Sequence, residues 1–339
     1  MTNRVREQRT SYRAAPLLAL LVTLASGVFA ATGAADKRPG VELKNTILSH
    51  VRERLPPSQA RAVDFEESRV WAFANNVVSM SIYRTEPGQL EAAAIAAIDS
   101  GSGQAATASA LVRAAMAGVL NSIGHGAQLL PPLDTLPHEA RHTSFHDTGN
   151  IRVVTVPTFE SESMCGGFKH YVDFSKSSVS AVVLDLRGNQ GGALDAVVCL
   201  ASNFLKPGLP LLVIASMRGP ETLRSRDIAW HPISLPVVVF IDRETDSGAL
   251  GLAAALQDQH RARIIGEQKE KINGNVMSFV STPKGQDMFL LPVADIRHVG
   301  GERLAVEGVR VDVAVRANDE DAMTAAASTA LEEAHKLAQ

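Results

Sequence analysis

The sequence has few of the features that would direct a chain to a metal ion or a nucleic acid. Its 339 residues include two cysteines, Cys165 and Cys199, and these do not form a Cys-x-x-Cys zinc spacing. An even count permits a disulfide in an oxidising compartment, but spacing leaves that pairing open. The formal net charge is −3 and no Lys/Arg cluster occurs beyond the N-terminus. We therefore predict no metal, no cofactor and no nucleic-acid partner.

Long apolar runs are also scarce, and the one near the start has the pattern of an export signal. Four arginines precede an uncharged run over residues 15–30, and small residues follow before Asp36. This order predicts a secretory signal peptide over residues 1–35. The run is shorter than the roughly 20 residues of a bilayer span, although an uncleaved anchor is the alternative. We expect a periplasmic or secreted protein without stable membrane insertion after signal removal.

The rest of the chain divides into a helical region, an α/β core and a final helix. The helical region is predicted over 36–142, where Leu43, Ile47 and Val51 recur at helical spacing before Pro56. The core is predicted over 143–318, and the C-terminal helix over 319–339. Within the core, β-branched runs alternate with helical segments, which indicates a mostly parallel sheet covered on its faces. These are strands at 150–159, 180–187, 210–216, 236–242 and 261–267, helices at 193–205 and 247–259, and later strands at 288–296 and 309–315.

Two junctions between a strand and a helix carry the candidate chemistry. In LDLRGNQGG (184–192), Gly191 and Gly192 would let backbone N–H groups approach a ligand that develops negative charge. In PVVVFIDRETDSGALGL (236–252), Ser247 stands at the head of a small-residue helix, and the Gly248 N–H is a candidate oxyanion donor. The alternative is that Asp246 or Ser247 only caps the helix, which is the commoner role of these residues there.

Together these junctions resemble the core of tail-specific (C-terminal processing) serine peptidases. The resemblance also includes LVRAAMAGVLNSIGHGAQLLPP (111–132) and the tail LLPVADIRHVGGERLAVEGVRVDVAV (290–315), so it covers about 111–335. It implies an α/β fold, a crotonase-like spiral of ββα units with an N-terminal helical subdomain. It also implies that Ser247 is the nucleophile, and that Gly248 and either Gly191 or Gly192 supply the oxyanion hole.

The general base of this family is a lysine, which must be neutral to accept the serine proton. Counting from Ser247 places Ile272 at the lysine position, and aligning on Gly274-Asn275-Val276 places Asn273 there. Lys271 is the preferred candidate and Lys269 the second. The alternative for both is an ordinary solvated charge in the run EQKEK (267–271).

Other departures from the family concern the segments around the site. The nucleophile segment reads Ser-Gly-Ala-Leu instead of Ser-Ala-Ser-Glu, and Gly124-His125-Gly126 replaces an Asp-Pro-His loop. The interval 132–150 is too short for the PDZ domain of many members. Some relatives use a Ser-His-Glu arrangement, but Arg152 occupies the strand position expected for that histidine. The other candidates for such an arrangement are His125, His142, His146, Glu302 and Glu307. A lone histidine in a loop is more often a surface residue than a catalyst, and the same applies to His260 and His298.

We therefore predict a serine-type endopeptidase of the tail-specific type that acts on protein or peptide substrates in the bacterial periplasm. The alternative is a catalytically impaired pseudo-peptidase of the same fold that binds a peptide or an apolar ligand. A third possibility is a hydrolase of small esters or amides, because a fold does not determine its substrate. The sequence makes no prediction of the oligomeric state.

Overall fold

The structure is a computed structural model that describes residues 40–86, 88–103, 106–131, 142–159, 168, 170–171, 178–228 and 233–337. The predicted signal peptide lies outside these residues, and so does Cys165. In the part of the chain that is described, no helix is both long and apolar enough to cross a membrane.

The N-terminal region is helical, as predicted. Its helices are α1 (Val41–Arg54), α2 (Glu67–Met80), α3 (Gln89–Gly101) and α4 (Ala108–Ile123), with a 3-10 segment over Pro57–Glu66. Helix α1 ends just before Pro56 and Pro57, which cannot continue an α-helix. Helix α4 begins with Thr107 as its cap, because Oγ1 of Thr107 accepts a hydrogen bond from the Ala110 N–H at 3.2 Å.

A six-stranded sheet forms the centre of the α/β core, in the strand order β11-β8-β7-β4-β3-β2. Its strands are β2 (Ser144–Thr148), β3 (Ile151–Thr155), β4 (Ala181–Asp185), β7 (Val237–Ile241), β8 (Ala262–Gly266) and β11 (Val313–Ala314). Neighbouring strands are parallel except in the β2–β3 pair. Every residue of β4 and β7 is buried, as expected for strands that are apolar along their whole length. The predicted parallel sheet is confirmed.

A second, antiparallel sheet stands beside the first. It contains β1 (Gln128–Leu129), β5 (Pro210–Ser216), β6 (Gly219–Arg224), β9 (Asn275–Ser281) and β10 (Met288–Arg297). Strand β10 is its centre, since it pairs with β1, β5 and β9. The sequence pattern did not predict β2, β6 or β9. Strands β2 and β6 are edge strands with mostly exposed residues, so pairing with a neighbour defines them more than apolar alternation does.

The predicted strand over 309–315 is wrong except at residues 313–314. The N–H of Val309 donates to Oε1 of Gln268 at 3.1 Å, and the N–H of Arg310 donates to Oε1 of Gln257 at 2.9 Å. These backbone donors are therefore satisfied by side chains instead of by a neighbouring strand.

Helices cover both faces of the six-stranded sheet, which gives the predicted α/β class. Helices α5 (Leu194–Ser202) and α6 (Gly248–Asp258) pack in one core cluster with β4, β7 and β8. Helix α7 (Leu304–Glu307) is a single short turn, and α8 (Glu320–Leu337) packs on the other face of the sheet through Met323, Ala327 and Leu331. Cys199 of α5 is disulfide-bonded. The finer assignment to a crotonase-like spiral stays a prediction.

The helical region shares its core with the antiparallel sheet. Val280 of β9 and Phe289 of β10 are buried in the same cluster as α1 to α4. The rings of Phe73 in α2 and Phe289 contact edge to face, with centroids 5.2 Å apart. The helices therefore cover the second sheet.

Candidate active site

The turn after β4 is organised by Asn189, whose side chain is fully buried. Its Nδ2 donates to the carbonyl oxygen of Val156 at 2.7 Å, and its Oδ1 accepts from the N–H of Gly191 at 2.8 Å. Gly191 and Gly192 have φ angles of 99° and 139°, in the region that glycine enters without steric cost. The turn thus places two glycines with positive φ angles beside a buried side-chain amide.

The turn after β7 ends in a strained serine. The carboxylate of Asp242 accepts hydrogen bonds from the N–H groups of Glu244 and Thr245, at 3.0 and 2.9 Å. Ser247 then adopts φ 49° and ψ −121°, which is strained for a residue with a Cβ. Its side chain makes no capping hydrogen bond to α6. Ser247 thus occupies the N-cap position of α6, but its hydroxyl does not cap the helix.

The two turns lie against each other. Three hydrogen bonds join them: Thr245 Oγ1 to the Leu186 carbonyl at 3.0 Å, Gly188 N–H to Asp242 Oδ1 at 3.0 Å, and Asp246 N–H to the Asn189 carbonyl at 3.0 Å. A Cβ built on Gly191 would lie 2.8 Å from the Gly248 nitrogen and 3.0 Å from the Ser247 Cβ. The structure thus brings Ser247, Gly248 and the glycine pair together, although β4 and β7 are more than 50 residues apart in sequence.

The N–H groups at this junction differ in whether they are already used. That of Gly191 donates to Asn189. Those of Gly248 and Gly192 have no hydrogen-bond acceptor among the described residues. A Cβ built on Gly248 would lie 3.7 Å from the Gly192 nitrogen, so these two groups are near neighbours. Of the two glycines left open by the sequence, Gly192 is the one whose N–H has no acceptor within the part of the chain that the structure describes.

Asp246 connects this junction to the loop that follows β8. Its Oδ2 accepts a short hydrogen bond from Nζ of Lys269, and its Oδ1 accepts from the Asn273 N–H at 2.8 Å. Lys271, the base preferred from sequence, is exposed and has no hydrogen bond or ion pair within the described residues. Of these two lysines, Lys269 is the one that reaches the turn of Ser247, where its amine contacts the Asp246 carboxylate.

The segment that contains both turns is also the one that matches a known protein family. Residues 150–315 match the family model of peptidase family S41. This chain carries a peptidase family S41 domain. The match begins at the residue before β3 and ends just after β11, so it includes both turns of the candidate site.

The curated relatives of the S41 domain are much longer than the matching part. A chloroplastic C-terminal processing peptidase of Tetradesmus obliquus is 34% identical over 115 residues, which cover 34% of this chain and 25% of that protein. The carboxy-terminal processing protease CtpA of Bacillus subtilis is 27% identical over 135 residues, which cover 40% of this chain and 28% of that protein. The chain thus spans about a quarter of the length of these relatives.

A solved structure shares the fold over most of the chain. The structure of a lipoprotein from Streptococcus agalactiae aligns with a TM-score of 0.61 and 17% identity. The alignment covers 81% of this chain and 98% of that one. At this identity the likeness shows the fold alone.

The loop after α4 lies beside the loop that follows β8. A Cβ on Gly126 would lie 3.6 Å from Nδ2 of Asn273. The ring of His125 stacks on that of Tyr83, with centroids 3.6 Å apart, and the Tyr83 hydroxyl donates to Oδ1 of Asn275 at 2.7 Å. Burial of Tyr83 is the main cause that raises the pKa of its hydroxyl, and the nearby charge of Asp295 raises it further. His125 is thus held against an aromatic ring instead of beside a carboxylate.

The other members of the proposed Ser-His-Glu arrangement lie in different places. His142 and His146 are exposed, the latter on edge strand β2, and Arg152 donates from Nε to Oδ1 of Asp147 at 2.7 Å. Glu302 and Glu307 line a cavity of about 750 Å³ together with His260 and His298. None of the contacts found for these described residues is to Ser247.

Sequence reasoning missed two residues of the site. Asn189 was part of a quoted motif, but nothing in its spacing indicated that its side chain uses the Gly191 N–H. Asp246 was considered only as a helix cap, whereas its carboxylate contacts Lys269 and the Asn273 N–H. Both roles depend on contacts between distant segments, which no local pattern shows.

Proposed function

We propose that the S41 domain is a serine peptidase with Ser247 as its nucleophile. The observation that carries this proposal is the strained Ser247 at the head of a buried helix, next to two backbone N–H groups that have no acceptor among the described residues. A serine held in such a turn projects its hydroxyl beyond the strand end, where a substrate carbonyl can reach it. Strain of this kind persists where the surrounding structure enforces it, and it concentrates at functional sites.

The proposed reaction is acyl transfer through a tetrahedral intermediate. Oγ of Ser247 forms a bond to the substrate carbonyl carbon while a base takes the hydroxyl proton. The carbonyl oxygen becomes an oxyanion that accepts hydrogen bonds from the N–H groups of Gly248 and Gly192. The C–N bond then breaks, the amine leaves with the proton from the base, and water hydrolyses the acyl-enzyme to release the acid and restore Ser247.

Lys269 is the proposed base in preference to Lys271. It is the lysine whose amine contacts the residue before Ser247, and its side chain is only 31% exposed. A base needs an amine lone pair that faces the serine hydroxyl, whereas Nζ of Lys269 donates to Oδ2 of Asp246. Catalysis through Lys269 therefore requires that its amine leave Asp246. Lys271, being exposed, is the alternative base.

One observation favours the second candidate function, a pseudo-peptidase that binds a peptide without cleaving it. In the described arrangement Lys269 is paired with Asp246, and Asn273 occupies one of the two positions aligned with the family lysine. If the ammonium never leaves Asp246, the domain keeps a nucleophile and an oxyanion site without a base.

The substrate and the compartment also belong to the proposal. The two curated relatives are named as peptidases that process carboxyl termini, which supports a protein or peptide substrate for this chain. The charge and apolar pattern of residues 1–35 supports action in the periplasm or outside the cell.

Labelling with a fluorophosphonate probe tests the proposal. Attack by Ser247 forms an Oγ–P bond and expels fluoride, and mass spectrometry of peptides locates the adduct. We expect labelling of Ser247 that is absent in Ser247→Ala, is slowed by about 100-fold or more in Lys269→Ala, and is nearly unchanged in the matched control Lys271→Ala.

An additional variant separates the two candidate functions. Asp246→Asn keeps an acceptor for the Asn273 N–H but removes the charge that pairs with Lys269, so labelling at neutral pH should become faster. A folded wild-type protein that stays unlabelled over the pH range of its stability would overturn the peptidase proposal and favour the binding protein.

A further inference from the structure

Asn189 is a buried polar residue whose groups are all used at the junction of the two turns. It is 0% exposed. Its amide donates to Val156 at the end of β3, and its side-chain oxygen accepts from Gly191. Its backbone carbonyl accepts from the Asp246 N–H at 3.0 Å. One residue thus contacts the strand before the site, the glycine pair and the nucleophile turn.

The bond from Gly191 to Asn189 determines which N–H group is available to a substrate. Because the Gly191 N–H is held by the Asn189 side chain, the Gly191 peptide cannot rotate to present it toward Ser247. The following peptide is fixed from its other end, since the Gly191 carbonyl accepts from the Phe159 N–H at 3.1 Å. The Gly192 N–H is left without an acceptor in the described residues, next to Gly248.

The backbone bond from Asp246 fixes the second half of the same site. Asp246 immediately precedes Ser247, so its N–H bond to Asn189 sets the position of the strained peptide relative to the glycine pair. An oxyanion site is effective only when its donors are aimed in advance at the developing charge. The two donors lie on segments more than 50 residues apart. Each segment is held by a hydrogen bond to Asn189, one to its side chain and one to its backbone carbonyl.

We propose that Asn189 is the positioning residue of the oxyanion hole, which commits Gly191 to an internal hydrogen bond and leaves the Gly192 N–H as the second donor. The inference rests on the proposed function, because an oxyanion hole is used only if Ser247 reacts. The proposal assigns no contact between Asn189 and the substrate. Substitution of Asn189 should therefore slow the reaction step and leave binding of the probe unchanged.

The chain offers a matched control in Asn203. This residue is also fully buried, and its side-chain Nδ2 donates to the Cys199 carbonyl at 2.9 Å at the end of α5. It has no contact with the two turns among those found in the described residues. Asn189→Ala and Asn203→Ala therefore both remove a buried amide that bonds to the backbone, but only the first disturbs the proposed donor.

The experiment measures fluorophosphonate labelling of the full chain over a range of probe concentrations. For Asn189→Ala we expect the maximal labelling rate to fall by about 10- to 100-fold relative to Asn203→Ala, with the half-saturating concentration little changed. Asn189→Asp keeps an acceptor for the Gly191 N–H and should recover part of the rate. Circular dichroism melting of each variant confirms that the compared proteins are folded. If Asn189→Ala is not folded, Asn189→Asp takes its place in the comparison.

The possible failures are distinguishable. If wild type and Asn203→Ala label but Asn189→Ala labels at the same rate, the inference is wrong and the peptidase proposal stands. The same conclusion follows if the variants lose rate only in proportion to their folded fraction. If wild type itself is unlabelled, the proposed function fails and this inference fails with it.

Discussion

At the scale of single residues, the geometry around Ser247 depends on the absence of side chains nearby. Gly191 has a positive φ of 99°, and a Cβ there would meet the Gly248 nitrogen at 2.8 Å. Such a contact with backbone is shorter than real Cβ atoms show, so one of the two turns would have to move. The candidate nucleophile and the glycine pair are therefore a single packed unit.

A substitution of Gly191 tests this point. Gly191→Ala should abolish fluorophosphonate labelling of Ser247 and lower the free energy of unfolding by about 2 kcal/mol or more, from the left-handed conformation and the contact combined. Urea titration and probe labelling measure the two effects.

Gly208→Ala is the control for backbone strain alone. Gly208 also has a positive φ, of 83°, but a Cβ there has nothing within 4 Å. Gly208→Ala should therefore lower the free energy of unfolding by about 1 kcal/mol and leave labelling as in wild type. Equal labelling of the two variants would show that the turn at Gly191 is not coupled to Ser247.

At the scale of elements, His298 connects α6 to the segment after α7. Its Nδ1 lies 3.2 Å from the carboxylate of Asp258, and its Nε2 lies 2.7 Å from the Gly308 carbonyl oxygen. Both partners are acceptors, so only the doubly protonated ring donates to both. The hydrogen bond to Asp258, together with that to Gly308, raises the pKa of His298. Gly308 in turn packs against Gln268 and Ile272 of the loop that follows β8.

This contact predicts a pH dependence of stability. Because the pKa of His298 is higher in the folded than in the unfolded chain, its contribution is fully present below the unfolded value of about 6.5. The contribution is lost as the pH rises through the raised folded pKa. His298→Gln should therefore destabilise by about 1 kcal/mol at pH 5.5, and by less above neutrality.

Urea unfolding of wild type and variant between pH 5.5 and 8.5 measures the difference. His142→Gln, which replaces an exposed histidine, should show a difference near zero throughout. A difference for His298→Gln that grows with pH would contradict the assignment of a raised pKa.

Prediction from sequence succeeded best for elements whose own residues are apolar or small and therefore indicate burial. Strands β4 and β7 are continuous apolar runs, and α6 is a small-residue helix, so their identities and approximate bounds were predicted. Strands β6 and β9 were not, because their residues are a mixture of polar and apolar types and their pairing with β5 and β10 defines them. The segment before β11 was predicted as strand because of its valines, but glutamine side chains satisfy its backbone.

At the scale of the whole molecule, a buried ion cluster joins the helical region to the second sheet. Asp287, just before β10, has a fully buried carboxylate that accepts from Arg69 of α2 and Arg113 of α4, both at 2.5 Å. The side chain of Arg69 is only 4% exposed. Removing the carboxylate would leave a buried guanidinium with Glu66 as its remaining acidic partner.

Asp287→Ala should therefore destabilise the protein by about 3–5 kcal/mol, since the cluster then holds two guanidinium groups against the single carboxylate of Glu66. Asp64→Ala removes an ion pair with Arg52 in which both side chains are largely exposed, and should cost less than about 1 kcal/mol. Urea unfolding followed by circular dichroism compares the two. Equal midpoints for both variants would show that the cluster does not hold the helices to the sheet.

The sequence by itself determined the α/β class, the helical region and the placing of Ser247 and the glycine pair at strand ends, because apolar runs and turn residues are local properties. Only the tertiary structure decided how those residues can act. It assigned the Gly191 N–H to Asn189, left that of Gly192 without an acceptor among the residues described, and brought Lys269 instead of Lys271 to Asp246. These outcomes depend on hydrogen bonds and charges between segments that are distant in the chain, and such contacts form only when the two sheets and α6 pack.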